Sequence, residues 1–216
     1  MKPILEIKNL KVGFDQRVLI HVSKNFEAGK IVALIGRNGT GKSSLIRTIA
    51  GLQKELEGTI SIQGNTLLGL QPIDVAKLIS VVFTQRPAVN GIDVITLLEM
   101  GTYPHQKESS SFQEKINKII SELQLEHLLS KSIENLSDGE FQKVMIGRAL
   151  VQETPVILLD EPTAFLDYVA KEEVMHLLRS IAHTAQKLII FSSHDLTLVE
   201  KYADEKWILH SSEEKL

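Results

Sequence analysis

An α/β fold built on a mostly parallel sheet is the class this sequence predicts, on three observations. The runs 31–35, 156–159 and 188–191 (Ile-Val-Ala-Leu-Ile, Val-Ile-Leu-Leu and Leu-Ile-Ile-Phe) are continuously apolar, as strands covered on both faces are. Segments with helical periodicity separate these runs, and strands that alternate with helices pair in parallel through crossovers. The first run also ends in a glycine-rich turn followed by a helix-like segment.

Taken in order, a short strand at 4–7, a turn around Gly13 and a strand-like run at 18–26 predict an antiparallel opening. The buried strand 31–35 leads through the glycine-rich turn into a helix over about 42–50, which Gly51 is placed to stop. Residues 59–62, the Gly64-Asn65 turn and residues 81–83 read as further strands, with a short helix starting at Pro72 between them. From 88 to 152 the chain becomes mostly helical, and Phe112, Ile116, Ile119, Ile120 and Leu123 share one face. Strand signals resume at 156–159, then a helix with Val174, Leu177, Leu178 and Ile181 on one face, a strand at 188–191 and a last strand at 207–209. The expected organisation is a single domain over 1–216, with core segments 1–87 and 153–216 and an inserted helical subdomain over 88–152.

Composition narrows the function classes. With 43% hydrophobic and 24% charged residues, the 216-residue chain can bury a core and is not disordered as a whole. Lys+Arg 24 against Asp+Glu 27 gives a net charge of −3, which argues against gripping nucleic-acid phosphates as the main task. Zero cysteines exclude disulfides, thiolate catalysis, zinc knuckles and iron–sulfur clusters. The start alternates apolar and charged residues, unlike a secretory signal, and no apolar run approaches the ~20 residues of a membrane span. The expectation is a cytoplasmic chain that meets a membrane only through a partner.

Three elements carry chemistry. Gly36-Arg37-Asn38-Gly39-Thr40-Gly41-Lys42-Ser43 fits the phosphate-loop pattern in the strand–loop–helix context it requires, with Ser44 next along the nucleotide-binding stretch. Backbone N–H groups and the positive helix end would cradle phosphates, Lys42 would reach the β/γ oxygens and Ser43 would offer a hydroxyl to Mg²⁺. The second element is Asp160-Glu161 at the end of a buried strand, on the edge where open α/β sheets bind ligands. Adjacent strand residues point to opposite sides, so the two acids should divide the work: Asp160 for the Mg²⁺ shell, Glu161 for polarising the attacking water. In the third element, Ser137 followed by Glu140 reads as a capping box at a helix start that is equally an anion site, with Asp138 in its first turn.

The order of these motifs resembles that of the ATPase subunit of an ABC transporter over nearly the whole chain. The series comprises the phosphate loop, Gln85 at a strand end, the signature Leu136-Ser137-Asp138-Gly139-Glu140, Asp160-Glu161, Asp167 and His194. The resemblance implies the ABC ATPase fold, ATP and Mg²⁺ as cofactors, and an ATP-dependent head-to-tail homodimer with each ATP lying between subunits. Ser137 and the Gly139 backbone would hold the γ-phosphate of the partner's ATP, Gln85 would sense Mg²⁺ and water, and His194 would bind the γ-phosphate. Asp167 would bridge the dimer and Phe14 would stack on adenine. On composition alone, Phe14 reads as a core residue and His194 as a solvated loop residue.

The family signature carries Gly where Asp138 stands and Gln where Glu140 stands, so both carboxylates are expected to point sideways from the phosphate, Glu140 closing the capping box. A separate ATPase chain implies separate transmembrane permease subunits, a peripheral seat on the inner membrane face and, indirectly, a substrate-binding protein. Gly101-Thr102-Tyr103-Pro104-His105 and the segment 161–167 resemble the ATPases of iron–siderophore, haem and vitamin B12 importers. Two rival readings stay open: a soluble ABC-type ATPase of DNA repair or translation, and a phosphate-loop kinase.

Overall fold

In the computed structural model, residues 2–14, 17–86, 91–105 and 110–209 are described. Strands β1 (Leu5–Phe14) and β2 (Arg17–Phe26) pair antiparallel in a hairpin longer than the strand expected at 4–7. The polar pair Lys8-Asn9 ends the apolar alternation without ending the strand, because the register shifts there and Asn9 takes a φ of 48°. A second shift at Gly13 explains the turn signal: a Cβ there would sit 1.9 Å from the Arg17 carbonyl oxygen, so the glycine admits a bulge inside the strand.

Strand β3 (Ile31–Ile35) leads to helix α1 (Lys42–Ile49), capped by Ala50 with Gly51 just beyond at φ 71°. Strands β4 (Glu57–Ile62) and β5 (Asn65–Thr66) complete a sheet of order β2-β1-β4-β5. Their turn is Gln63-Gly64, both at positive φ, while Asn65 pairs with Ile62 inside the ladder. Helix α2 (Pro72–Leu78) runs straight into β6 (Ile79–Val82), two residues earlier than the apolar run suggested, because Ser80 is buried and bonded to Thr154 Oγ1.

The chain continues through α3 (Val94–Glu99), a 3₁₀ turn over Met100–His105, α4 (Ser110–Glu122) and α5 (Asp138–Val151). All five residues of the expected α4 face are buried. His105 Nε2 lies 2.8 Å from the Gln152 carbonyl, tying the 3₁₀ turn to the end of α5. The boundary expected at 87–88 lies outside the described residues.

Strand β7 (Val156–Leu159), α6 (Tyr168–Thr184), β8 (Leu188–Ser192), α7 (Leu196–Tyr202) and β9 (Glu205–Ile208) complete the second sheet, of order β6-β7-β8-β3-β9. Its neighbouring strands are all parallel. Ile31, Ala33, Ile157, Leu159, Ile189 and Phe191 pack on one face with α5, α6 and α7. Val32, Leu34, Val156, Leu158, Leu188 and Ile190 pack on the other with α1 and the antiparallel sheet. Both faces are covered, which is why these strands show no polar alternation. On α6, Val174 and Leu178 are buried while Leu177 and Ile181 pack at the margin. Among the described residues, no helix is long and apolar enough to cross a membrane.

Candidate nucleotide site

The C-terminal ends of β3, β7 and β8 deliver the first group of functional side chains. Gly41 caps α1 at φ 92° with no side-chain hydrogen bond to the first turn, and a Cβ there would lie 2.9 Å from Ile20 Cδ1. Only glycine meets both the left-handed conformation and the close approach. Thr40 Oγ1 donates to the Arg37 carbonyl at 2.9 Å and helps fold the loop on itself. Lys42 is buried, and its ammonium donates to the carbonyls of Gly36 (2.8 Å) and Arg37 (3.2 Å). Burial pulls the Lys42 pKa below its ordinary value, while the charges of Glu161 and Asp160 push the other way. A cation held so close to the loop backbone can meet phosphate oxygens there.

Asp160 and Glu161 lie just past the end of β7, and both line one cleft of about 340 Å³ with Ser43, Ser44, Gln85 and Thr84. Glu161 stands beyond the strand end and has φ 50°. A non-glycine residue there costs about 1–2 kcal/mol, so its surroundings must hold it. Ser192 does so: its hydroxyl donates to Asp160 Oδ1 at 2.7 Å and accepts from the Glu161 N–H at 2.9 Å. Thr84 Oγ1 adds a bond to the Asp160 carbonyl at 2.9 Å. Ser192 is fully buried and Asp160 nearly so. His194 Nε2 lies 3.1 Å from Glu161 Oε1, which places this loop histidine on the acid.

The second group lies in a separate hollow of about 520 Å³ that includes Ser137, Gly139, Lys143, Phe165 and Asp167. Ser137 caps α5 by accepting from the Glu140 N–H (3.2 Å), and Glu140 Oε2 accepts from the Ser137 N–H (2.7 Å). The capping box is complete, and Glu140 is turned into it as expected. Those bonds, the Ser137 N–H first, then its hydroxyl and Lys131, hold the Glu140 carboxyl below its ordinary range. Asp138 is drawn aside by Arg86, with Nη2 at 2.9 Å. Asp167 caps α6 by accepting from the Ala170 N–H at 2.9 Å. Phe14 is 55% exposed at the hairpin end, so the core reading from composition is wrong.

The structure thus gathers Ser43, Ser44, Gln85, Asp160 and Glu161 around one cleft, with His194 touching it, and sets Ser137, Gly139 and Asp167 around another. Two participants escaped the sequence reading. Ser192 stood unremarked in the polar Ser192-Ser193-His194 end of a strand, and Arg86 stood beside Gln85 with no local sign that it reaches across 50 residues.

The sequence profile of the ABC transporter family matches residues 19–164. An uncharacterized ABC transporter ATP-binding protein of Methanocaldococcus jannaschii is 37% identical over 207 residues, covering 94% of this chain and 71% of the relative. The iron(3+)-hydroxamate import ATP-binding protein FhuC of Bacillus subtilis is 29% identical over 204 residues, covering 92% of this chain and 76% of the relative. A solved ATP-binding subunit of an ABC transporter superposes with a TM-score of 0.88 at 29% identity, covering 96% of this chain and 86% of that one. This chain therefore belongs to the ABC transporter family and is an ATP-hydrolysing, ATP-binding subunit of such a transporter.

Proposed function

We propose that two copies of this chain share each ATP and that its hydrolysis energises a separate membrane permease for import of an iron chelate, haem or cobalamin-type cargo. The observation that carries the shared site is the division of functional groups between two hollows of one chain. The cleft has two carboxylates and further oxygen donors, with Lys42 of the phosphate loop within electrostatic reach of both acids. The other hollow has a helix start, a hydroxyl and a glycine N–H, the equipment of an anion site, without a phosphate loop of its own. Head-to-tail pairing completes both.

In each completed site, the loop from Gly36 through Ser44 and Lys42 hold the phosphates, and Phe14 stacks on adenine. Ser43, Gln85 and Asp160 line the cleft with hard oxygen donors, a set suited to Mg²⁺. When bound, that ion neutralises phosphate charge. Glu161 accepts a proton from the attacking water, and His194, now on Glu161, turns to the γ-phosphate. Ser137 and Gly139 of the partner close over the phosphate, with Asp167 bridging the two copies. The core segments 1–87 and 153–216 carry the loop and acids, and 88–152 passes motion to the permease through the Gln85 region. The chain works on the inner face of the cell membrane, needs no nucleic acid, and meets a substrate-binding protein only through the permease. Likeness to an iron(3+)-hydroxamate import component supports the cargo class.

Mixing two inactive copies tests the sharing. Lys42→Ala and Ser137→Ala copies should each hydrolyse little alone, while their mixture regains turnover, because a mixed dimer has one intact site. No regained turnover means that the sites are not shared. Reconstitution with the permease and binding protein, followed by uptake of ferric hydroxamate, haem and cobalamin, tests the cargo: ATP-dependent uptake of none of them removes that part.

A further inference from the structure

Arg86 follows Gln85, yet among the described residues its guanidinium meets Ile133, Leu136, Asp138 and Phe141, in and beside the signature. Nη2 donates to the Leu136 carbonyl at 2.7 Å and meets Asp138 Oδ1 at 2.9 Å, Nε donates to the same oxygen at 3.1 Å, and Nη1 reaches the Ile133 carbonyl at 3.5 Å. The guanidinium carbon also lies 4.7 Å from the centre of the Phe141 ring. Leu136 and Asp138 flank Ser137, so one planar group holds the helix tip from both sides of the serine.

We propose that Arg86 is a positioning residue that fastens Gln85 of the cleft to Ser137 of the signature tip, so that the state of one copy's cleft sets that copy's grip on its partner's nucleotide. This rests on the shared-site reading above. An exposed ion pair alone contributes little. Here the pair is joined to a main-chain carbonyl and an aromatic face through a fork that lysine does not reproduce. Gln85 and Arg86 are adjacent, so a shift of the Gln85 segment pulls on Leu136 and Asp138 together. The same contact neutralises Asp138, whose carboxylate stands in the first turn of the helix and would otherwise repel a triphosphate approaching Ser137. The departure from glycine at position 138 then has a purpose: it supplies the handle that Arg86 holds.

The test uses the full chain with Glu161→Gln, so that nucleotide is bound without turnover. Added Arg86→Ala or Asp138→Asn should leave the ATP affinity of the dilute monomer unchanged, and Asp138→Asn should also leave the melting temperature unchanged. Each should raise the ATP concentration needed for half-dimerisation, by about tenfold for Arg86→Ala and less for Asp138→Asn. In the hydrolysing background, Arg86→Ala should lower the Hill coefficient for ATP, and Arg86→Lys should not restore it. A merely structural arginine would move the melting temperature and leave cooperativity alone. Unchanged dimerisation and unchanged cooperativity in both variants overturn the clamp while the shared site stands. Should Arg86→Ala not fold, Asp138→Asn decides by the same readouts. A Glu161→Gln parent that stays monomeric at saturating ATP overturns the shared site itself, and the clamp with it.

Discussion

The cleft at the ends of β7 and β8 and the tip of α5 hold their functional groups by opposite means. Around the cleft, Asp160 on its wall and Lys42 and Ser192 behind it are buried and bonded to main chain or to one another. At the tip, Ser137 and Asp138 are exposed, secured by a capping box and one arginine. Groups that handle developing charge gain from a dry, prearranged setting, where electrostatic effects are strongest. A group that must reach another molecule has to stay at the surface, where each restraint is individually weak. The contrast separates a region built for chemistry from one built for docking, and substitutions in the two should differ in kind as well as size.

The largest effect belongs to the cleft. Glu161→Gln should cut turnover by about 10²- to 10⁴-fold with nucleotide affinity unchanged, since it removes a proton acceptor and leaves the phosphate loop intact. Full turnover in this variant would show that the acid beside His194 is not the base. Lys42→Ala should act on binding, weakening nucleotide affinity by about ten- to a hundredfold in calorimetric titration through loss of charged hydrogen bonds. Equal affinity would move the phosphates away from the loop.

Ser192→Ala sharpens the contrast without removing any group expected to meet nucleotide. It strands the Glu161 N–H and removes the donor to Asp160, both at a buried site. The expected cost is about 1–3 kcal/mol in denaturant unfolding, together with lower turnover and a higher Mg²⁺ requirement. A stability loss with unchanged Mg²⁺ dependence would reduce Ser192 to a support for the fold.

How much of this was legible in the sequence follows the same divide. Lys42, the acid pair and the Ser137-Glu140 box are local patterns, and each was readable because its physics lies within a few residues. The parallel sheet was equally plain, because covering both faces of a strand erases polar alternation. Longer-range features were not. The hairpin was read short because bulges at Asn9 and Gly13 interrupt its period without ending its pairing. Phe14 could not be told from a core aromatic until the hairpin end placed it outside. Ser192 and Arg86 act across 31 to 50 residues of chain, and one sequence carries no mark of such pairs.

The smallest effect is a pH dependence confined to the tip. Glu140 takes the Ser137 N–H as an acceptor, and that bond, with the serine hydroxyl and Lys131, lowers its pKa. For a carboxyl depressed on folding, the stabilisation is present above the unfolded value and disappears as pH falls through the folded one. Glu140→Gln keeps an acceptor at the same reach and has no charge to lose. The gap in melting temperature between the native chain and this variant should therefore hold steady from neutrality down toward the ordinary glutamate pKa of about 4.3 and close as pH falls further, through the lowered folded value. Lys131 and the helix dipole both favour the carboxylate, so high salt should narrow the gap at neutral pH. A gap that stays constant with pH would mean that the cap works by shape alone. The tip would then owe its order to Arg86 and packing, and the two regions would differ in exposure without differing in electrostatics.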